Sequence, residues 1–202
     1  MKMTAGGFDI LRAKFGTLSQ SQVGGINRIV TAMHDDGELS YPQGAYILAT
    51  IWHETARTMR PIAEYGKGRG RTYGTWYINS KGQRYSFKNG NKNTVYLQSE
   101  CPHLFYGRGD TQNTWYDNYE KLSKVFGVDF LQNPDLLLTE KWSTVATIYS
   151  MKVGLYTGFK LNDFINSSTK NYVGARRIIN GTDKDDLIAG YAVTFEKALR
   201  SW

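Results

Sequence analysis

Two glutamates ten residues apart, Glu54 and Glu64, have the type and spacing for paired acid–base chemistry. Glu54 closes the helical run 45–54, and Glu64 opens the glycine-rich basic stretch Glu64-Tyr-Gly-Lys-Gly-Arg-Gly-Arg. A straight α-helix would part them by roughly 15 Å at about 1.5 Å per residue, too far to serve one glycosidic bond. Pro61 lies between them; it disfavours helix at Arg60 and has no N–H to give. The chain can turn there and bring Glu64 back to face Glu54. Two carboxylates across a cleft are the minimum equipment for glycoside hydrolysis. On local pattern alone Glu54 could equally be a plain surface residue. Burial beside Ile51 and Trp52 would instead keep its carboxyl protonated near neutrality, as a general acid requires.

The other chemistry-bearing types sort quickly. His53-Glu54 begins a zinc-protease pattern, but position 57 is Arg57, the chain has three histidines, and its cysteine is single, so neither zinc nor any other cofactor is expected. Cys101 has no activating neighbour beyond His103 and reads as inert. Lys67, Arg69 and Arg71 alternate with Gly66, Gly68 and Gly70; this suits a mobile clamp on an anionic chain, or a plain flexible loop. The segment Tyr106-Gly-Arg-Gly-Asp-Thr-Gln-Asn-Thr-Trp-Tyr-Asp-Asn-Tyr119 is the most distinctive. Its glycines let backbone approach a ligand closely, and its amides, hydroxyls and rings are the mixture that sugars ask for. It is also a turn into an amphipathic helix, and the two readings are compatible.

These residues need elements to hold them. The first 60 residues read as helical. Ser19 caps a helix with Val23, Ile26, Ile29, Val30 and Met33 on one face, closed at Asp35-Asp36-Gly37. Tyr41-Pro42 starts the next, running toward Arg60. Residues 65–105 are rich in glycine, asparagine, serine and tyrosine, with short strands expected around a Ser-Lys-Gly turn within 75–87. Helical spacing returns after Trp115 and stops at Gly127; Asn133-Pro134-Asp135 begins a short turn, and Thr139 caps a longer helix. Residues 170–179 read as helix, and Asp183 as the cap of the last one. No repeat or linker divides the 202 residues, so one catalytic domain is expected, with a helical lobe from 1–60 and 115–202, a small β and loop lobe at about 65–110, and no separate wall-binding domain.

The chain is 41% hydrophobic and 14% aromatic, enough for a sizeable core and no composition of a disordered chain. Its apolar runs fall short of the roughly 20 residues of a membrane span, and the N-terminus shows no apolar signal core. The net charge of +7 is local: residues 57–92 hold nine Lys/Arg and one acid, while the remainder is nearly neutral. Such a field fits an anionic polymer, whether nucleic acid, bacterial wall or acidic lipid, or else a solvated loop.

Taken together the segments resemble glycoside hydrolase family 19, the class I chitinases, and within it the phage lysins. The resemblance rests on His53-Glu54-Thr55, Glu64, Tyr106-Gly-Arg-Gly-x-x-Gln112-x-Thr114-Trp115-x-x-Asn118-Tyr119, Asn133-Pro134-Asp135-Leu136 and Ile178-Ile-Asn180-Gly181, in the family's order over 45–195. It implies a mainly α, lysozyme-like, two-lobed α+β domain with a small irregular β-containing lobe. It implies Glu54 as general acid, Glu64 as general base and Thr114 as the hydroxyl that positions water, with inversion at the anomeric carbon. His53, Tyr106, Arg108, Gln112, Trp115, Asn118 and Asn180, with Lys67 and Arg69 of the basic loop, would bind substrate. The chain departs from the family at Asp110-Thr111 and Asn113, and it cannot form the disulfides of plant members. The expectation is a monomeric endolysin acting on peptidoglycan glycan strands, with chitin as the alternative polymer and a non-catalytic wall binder as the alternative class. It would not bind nucleic acid or insert stably in membrane. It would stay in the host cytoplasm until a holin opens the way to the wall.

Overall fold

The structure, a computed structural model, describes residues 1–68, 71, 73, 75–78, 84–87 and 105–201, with the backbone alone for 75–78 and 84–87. Arg69 and Cys101 lie outside the described residues. Among the described residues the fold is mainly helical, with two small antiparallel ladders, and the chain divides into two compact units, Met1–Arg60 with Thr144–Trp202, and Pro61–Ser143.

The first unit begins with α1 (Ala5–Phe15), α2 (Gln20–Asp36) and α3 (Tyr41–Glu54). Ser19 and Ser40 each build a reciprocal capping box, with Gln22 and Gln43 three residues on. This satisfies two otherwise orphaned N–H groups at each helix start. Gly37 closes α2 in the left-handed conformation. α3 presents buried side chains on every face from Gly44 to Trp52, the mark of a central helix. It ends at Glu54, well before Arg60, because the Thr55 hydroxyl bonds back to the Ile51 carbonyl and then accepts from Met59 N–H. The C-terminal helix α7 (Asp185–Leu199) packs along α3 and α1. At its centre Trp52 stacks on Phe15, with Phe195 and Tyr191 around them.

In the second unit β1 (Ile62–Ala63) pairs with β4 (Arg108–Gly109), and β2 (Thr75–Ile78) pairs with β3 (Arg84–Phe87), Trp76 opposite Ser86. α4 (Tyr116–Phe126), closed by Gly127, and a 3₁₀ turn at Pro134–Leu138 also belong to this unit. Phe105, Tyr116 and Tyr119 form its core, with Phe130 and Trp142 beside Phe126. The division of the chain falls after Ser143, within α5 (Glu140–Val153), and α6 (Leu161–Phe164) lies in the first unit. Besides the end of α3, two boundaries differ from the sequence reading. Residues 170–179 hold only a 3₁₀ turn at Gly174–Ile178. α7 starts two residues after Asp183, because Lys184 takes a left-handed φ of 59° and its side chain makes no cap. No helix among the described residues is long and apolar enough to cross a membrane.

Candidate active site

Glu54 is the last residue of α3, half-buried at 19% side-chain exposure. Its Oε1 accepts from Arg176 Nη1 at 2.6 Å. Arg176 is itself buried, and its Nε donates to the Asp183 carbonyl at 2.8 Å. The carboxylate therefore meets a fixed guanidinium, and not only the apolar wall suggested by Ile51 and Trp52. A charge-assisted bond of this kind fixes one oxygen and so aims the other. His53 is half-buried beside it, and Asn180 is exposed, its backbone N–H bonded to the Arg176 carbonyl at 3.0 Å. Glu54, His53, Arg176 and Asn180 all belong to the first unit.

Glu64 follows β1 in the second unit. Its backbone N–H donates to the Gly107 carbonyl at 2.7 Å, and its Oε2 accepts from Gly107 N–H at 3.0 Å. Main chain and side chain thus clasp one glycine. The second oxygen, Oε1, accepts from the Tyr73 hydroxyl at 3.1 Å. Burial and the Glu64 carboxylate both push the Tyr73 phenol up, so Tyr73 keeps its proton and stays a donor. Tyr73 in turn meets Trp115 edge-on at 4.9 Å, and its carbonyl accepts from Tyr116 N–H. Glu64 and Tyr73 are nine residues apart, and nothing in local spacing announced the partnership.

Thr114 and Gln112 crowd the same glycine from its other side. A Cβ on Gly107 would lie 2.8 Å from Gln112 Oε1 and 3.3 Å from Thr114 Oγ1. Only glycine can sit there while both side chains and Glu64 keep their places. Gln112 Nε2 donates to the Ile62 carbonyl at 2.9 Å, Thr114 Oγ1 to the Gln112 carbonyl at 2.8 Å, and Asn118 Nδ2 to the Thr114 carbonyl at 2.8 Å. The second unit therefore brings Glu64, Gln112, Thr114, Trp115 and Asn118 into one cluster, with Trp115 43% exposed. Lys67 is exposed. Tyr65, beside Glu64, is wholly exposed and was not singled out from sequence.

Arg108 and Tyr106 lie under the surface rather than on it, at 1% and 4% exposure. The Arg108 guanidinium sits 3.5 Å over the Tyr106 ring, donates Nε to Asp135 at 2.7 Å and Nη1 to the Tyr119 hydroxyl at 3.1 Å. Expected as substrate contacts, these two side chains instead hold the motif together. Their polarity alone could not tell a buried arginine from an exposed one.

Backbone strain marks the same places. Among the described residues, the non-glycine positions with left-handed φ are Ala56, Arg57, Met59, Lys67, Gln112, Trp115 and Lys184. All but Lys184 lie within five residues of Glu54, Glu64 or Thr114. Such conformations cost about 1–3 kcal/mol each and persist where the surroundings over-determine them.

Residues 42–196 match the family model described as chitinase class I. Endochitinase A2 of Pisum sativum is 35% identical over 97 residues, 43% of this chain and 30% of the pea protein. Endochitinase 1 of Theobroma cacao is 50% identical over 36 residues, 18% of this chain and 11% of the cacao protein. The matches therefore span less than a third of either curated relative. Chitinase C from Streptomyces griseus HUT6037 superposes with a TM-score of 0.58 at 18% identity, over 95% of this chain and 75% of that one. A bacterial family 19 chitinase superposes with a TM-score of 0.54 at 19% identity, over 99% of this chain and 96% of that one. These two likenesses establish the fold.

Proposed function

The chain belongs to the class I chitinase family, glycoside hydrolase family 19, and from that membership we propose that it is a phage-type endolysin hydrolysing β-1,4 bonds of peptidoglycan with inversion. Glu54 is the general acid. Arg176 occupies Oε1, so Oε2 carries the proton to the leaving oxygen. Glu64 is the general base, oriented by Tyr73 and Gly107 while it draws a proton from water. Thr114 Oγ1 orients that water, and Trp115 offers a face to a sugar ring. The observation that carries this reading is the strained, non-glycine backbone close in sequence to Glu54 in the first unit and to Glu64 and Thr114 in the second, since strain of this kind concentrates where geometry is used rather than merely stable.

The choice of peptidoglycan over chitin is supported by charge. The positive segment 57–92 is suited to a polymer bearing carboxylates and has no counterpart in neutral chitin. Chitin is the second reading, favoured because the plant relatives are endochitinases by name. Digestion of purified peptidoglycan, with mass spectrometry of the new reducing ends, tests the proposal. New reducing-end sugars are expected, and Glu54→Gln should abolish them in a protein that still melts cooperatively, even with the charge beside Arg176 removed. Rapid cleavage of soluble chitin oligomers with an untouched wall would transfer the assignment to chitin. Peptide cleavage without new reducing ends, or full activity in Glu54→Gln, would overturn the glycosidase mechanism.

A further inference from the structure

One peptide group joins a buried arginine network to Glu64. The Gly107 N–H that binds Glu64 Oε2 at 3.0 Å belongs to the same amide as the Tyr106 carbonyl. That carbonyl accepts from the Tyr119 hydroxyl at 2.7 Å and from Arg108 Nη1 at 3.4 Å. Arg108 donates to the Tyr119 oxygen at 3.1 Å and to Asp135 at 2.7 Å. A continuous line of polar contacts therefore runs from Asp135 through Arg108, Tyr119 and the 106–107 amide to the carboxylate, all within the second unit.

We propose that Tyr119 is a positioning residue for Glu64, acting with Arg108 through the 106–107 amide, so that the Gly107 N–H becomes a stronger donor to the base. This rests on the reading of Glu64 as general base. A donor on a peptide carbonyl polarises the whole amide and strengthens the bond its N–H makes, by about 10–30% per link in condensed phase. Water does not compete here: Tyr119 is fully buried and Arg108 is 1% exposed. The direction of the chain is fixed as well. The Tyr119 oxygen accepts from Arg108, which leaves its single proton for the Tyr106 carbonyl. Burial pushes the phenol well above its ordinary range, outweighing the Arg108 charge, so that proton stays in place. The amide cannot swing away, because the Gly107 carbonyl is held by Glu64 N–H and its Cα is pressed by Gln112 and Thr114. The plain alternative is that Tyr119 only fills the core against Phe105, their rings 5.1 Å apart. A phenylalanine would then serve as well.

Tyr119→Phe separates the two, because it keeps the ring and removes the hydroxyl. In NMR spectra of the full chain the Gly107 amide proton should move upfield in this variant. On whichever polymer the wild type cleaves, kcat should fall roughly ten-fold, less than the roughly 10²–10⁴-fold that a whole acid–base group contributes, with KM within about two-fold. The acid limb of the kcat/KM profile should move to higher pH, because a weaker N–H donor holds the carboxylate form less well. Asp135→Asn, at a position 73% exposed, should shift the resonance and the profile the same way by less. It also serves as the test if Tyr119→Phe does not fold. A folded variant with an unmoved Gly107 resonance and a superimposable pH profile overturns the relay. If Glu64→Gln keeps the wild-type rate, Glu64 is not the base and the proposal falls with it. An inactive Glu64→Gln beside an unmoved Gly107 resonance removes the relay alone, since that resonance is read without substrate.

Discussion

Arg176 is 3% exposed and commits Nη1 to Glu54 and Nε to the Asp183 carbonyl. Removing it in Arg176→Ala strips Glu54 of its cation and leaves the Asp183 carbonyl short of a donor. A hydrogen bond to a charged group is worth about 1.5–3 kcal/mol, so a loss of that size is expected in denaturant melts, together with a large fall in kcat. Arg176→Lys should recover little of either, because an ammonium cannot reproduce the two-armed geometry. Full activity in the lysine variant would mean that bare charge suffices at Glu54. The sequence made Glu54 legible through its helical run and motif, but not this partner, 122 positions away. Arg176 and Arg177 look alike as letters, yet the first is buried and the second exposed. Glu64 was legible in the same partial sense. Its chemical type and its place after Pro61 could be read, while its anchors, Tyr73 and one peptide N–H, follow from how β1 and β4 pair.

α2 braces the strained turn that follows Glu54. Gln22 Nε2 donates to the Arg57 carbonyl at 3.0 Å and Arg28 Nη2 to the Met59 carbonyl at 3.1 Å, while Gly25 lies against Met59. Two adjacent glycines of α2 should therefore respond with opposite signs. Gly24 is exposed with open space around its Cα, so Gly24→Ala should stabilise by roughly 0.5–1 kcal/mol through helix entropy. A Cβ on Gly25 would collide with the backbone of Met59, so Gly25→Ala should cost about 1–3 kcal/mol, as overpacking does, and lower the rate by displacing the turn. Equal responses in thermal melts would show that the turn does not depend on this contact. α7 carries a second brace. Glu196 accepts from Tyr172 at 2.7 Å, Lys170 at 3.0 Å and Arg200 at 3.0 Å. Burial opposes its ionisation, but these three bonds outweigh burial and hold its carboxyl below the ordinary 4.5. The stability it adds is therefore complete above about pH 4.5 and drains away as pH falls through its lower folded value. The advantage of the wild type over Glu196→Gln should be full at pH 6 and shrink toward pH 3, read from melts at each pH. An unchanging gap would rule out this linkage. The starts of α2 and α3 were readable from Ser19 and from Pro42, because a cap and a first-turn proline are local chemistry. The start of α7 was not, because Lys184 departs from its propensity only in the folded chain.

Over the whole molecule, the charge distribution is what separates the two candidate polymers. The two share their β-1,4-linked backbone chemistry, so the carboxylates proposed to act on the bond need not discriminate. Peptidoglycan adds carboxylates on its peptides, and the net +7 of this chain arises within residues 57–92, the stretch that contains Glu64. Attraction between an exposed cationic segment and a charged polymer is screened over about 10 Å at 0.1 M salt and about 3 Å at 1 M. Binding of a neutral oligomer is nearly blind to that change. Raising NaCl from about 0.05 to 0.5 M, across which the Debye length contracts several-fold, should therefore lower kcat/KM on peptidoglycan several-fold and leave cleavage of chitin oligomers within about two-fold. The change should sit in KM, because screening weakens capture rather than the bond-breaking step. Lys67 is exposed three residues beyond Glu64, so Lys67→Glu should weaken wall cleavage and flatten its salt dependence in the same assay. If salt acts equally on both polymers, or the reversed charge leaves the wall rate untouched, the positive segment is a solvated loop and the case for peptidoglycan over chitin loses its physical basis.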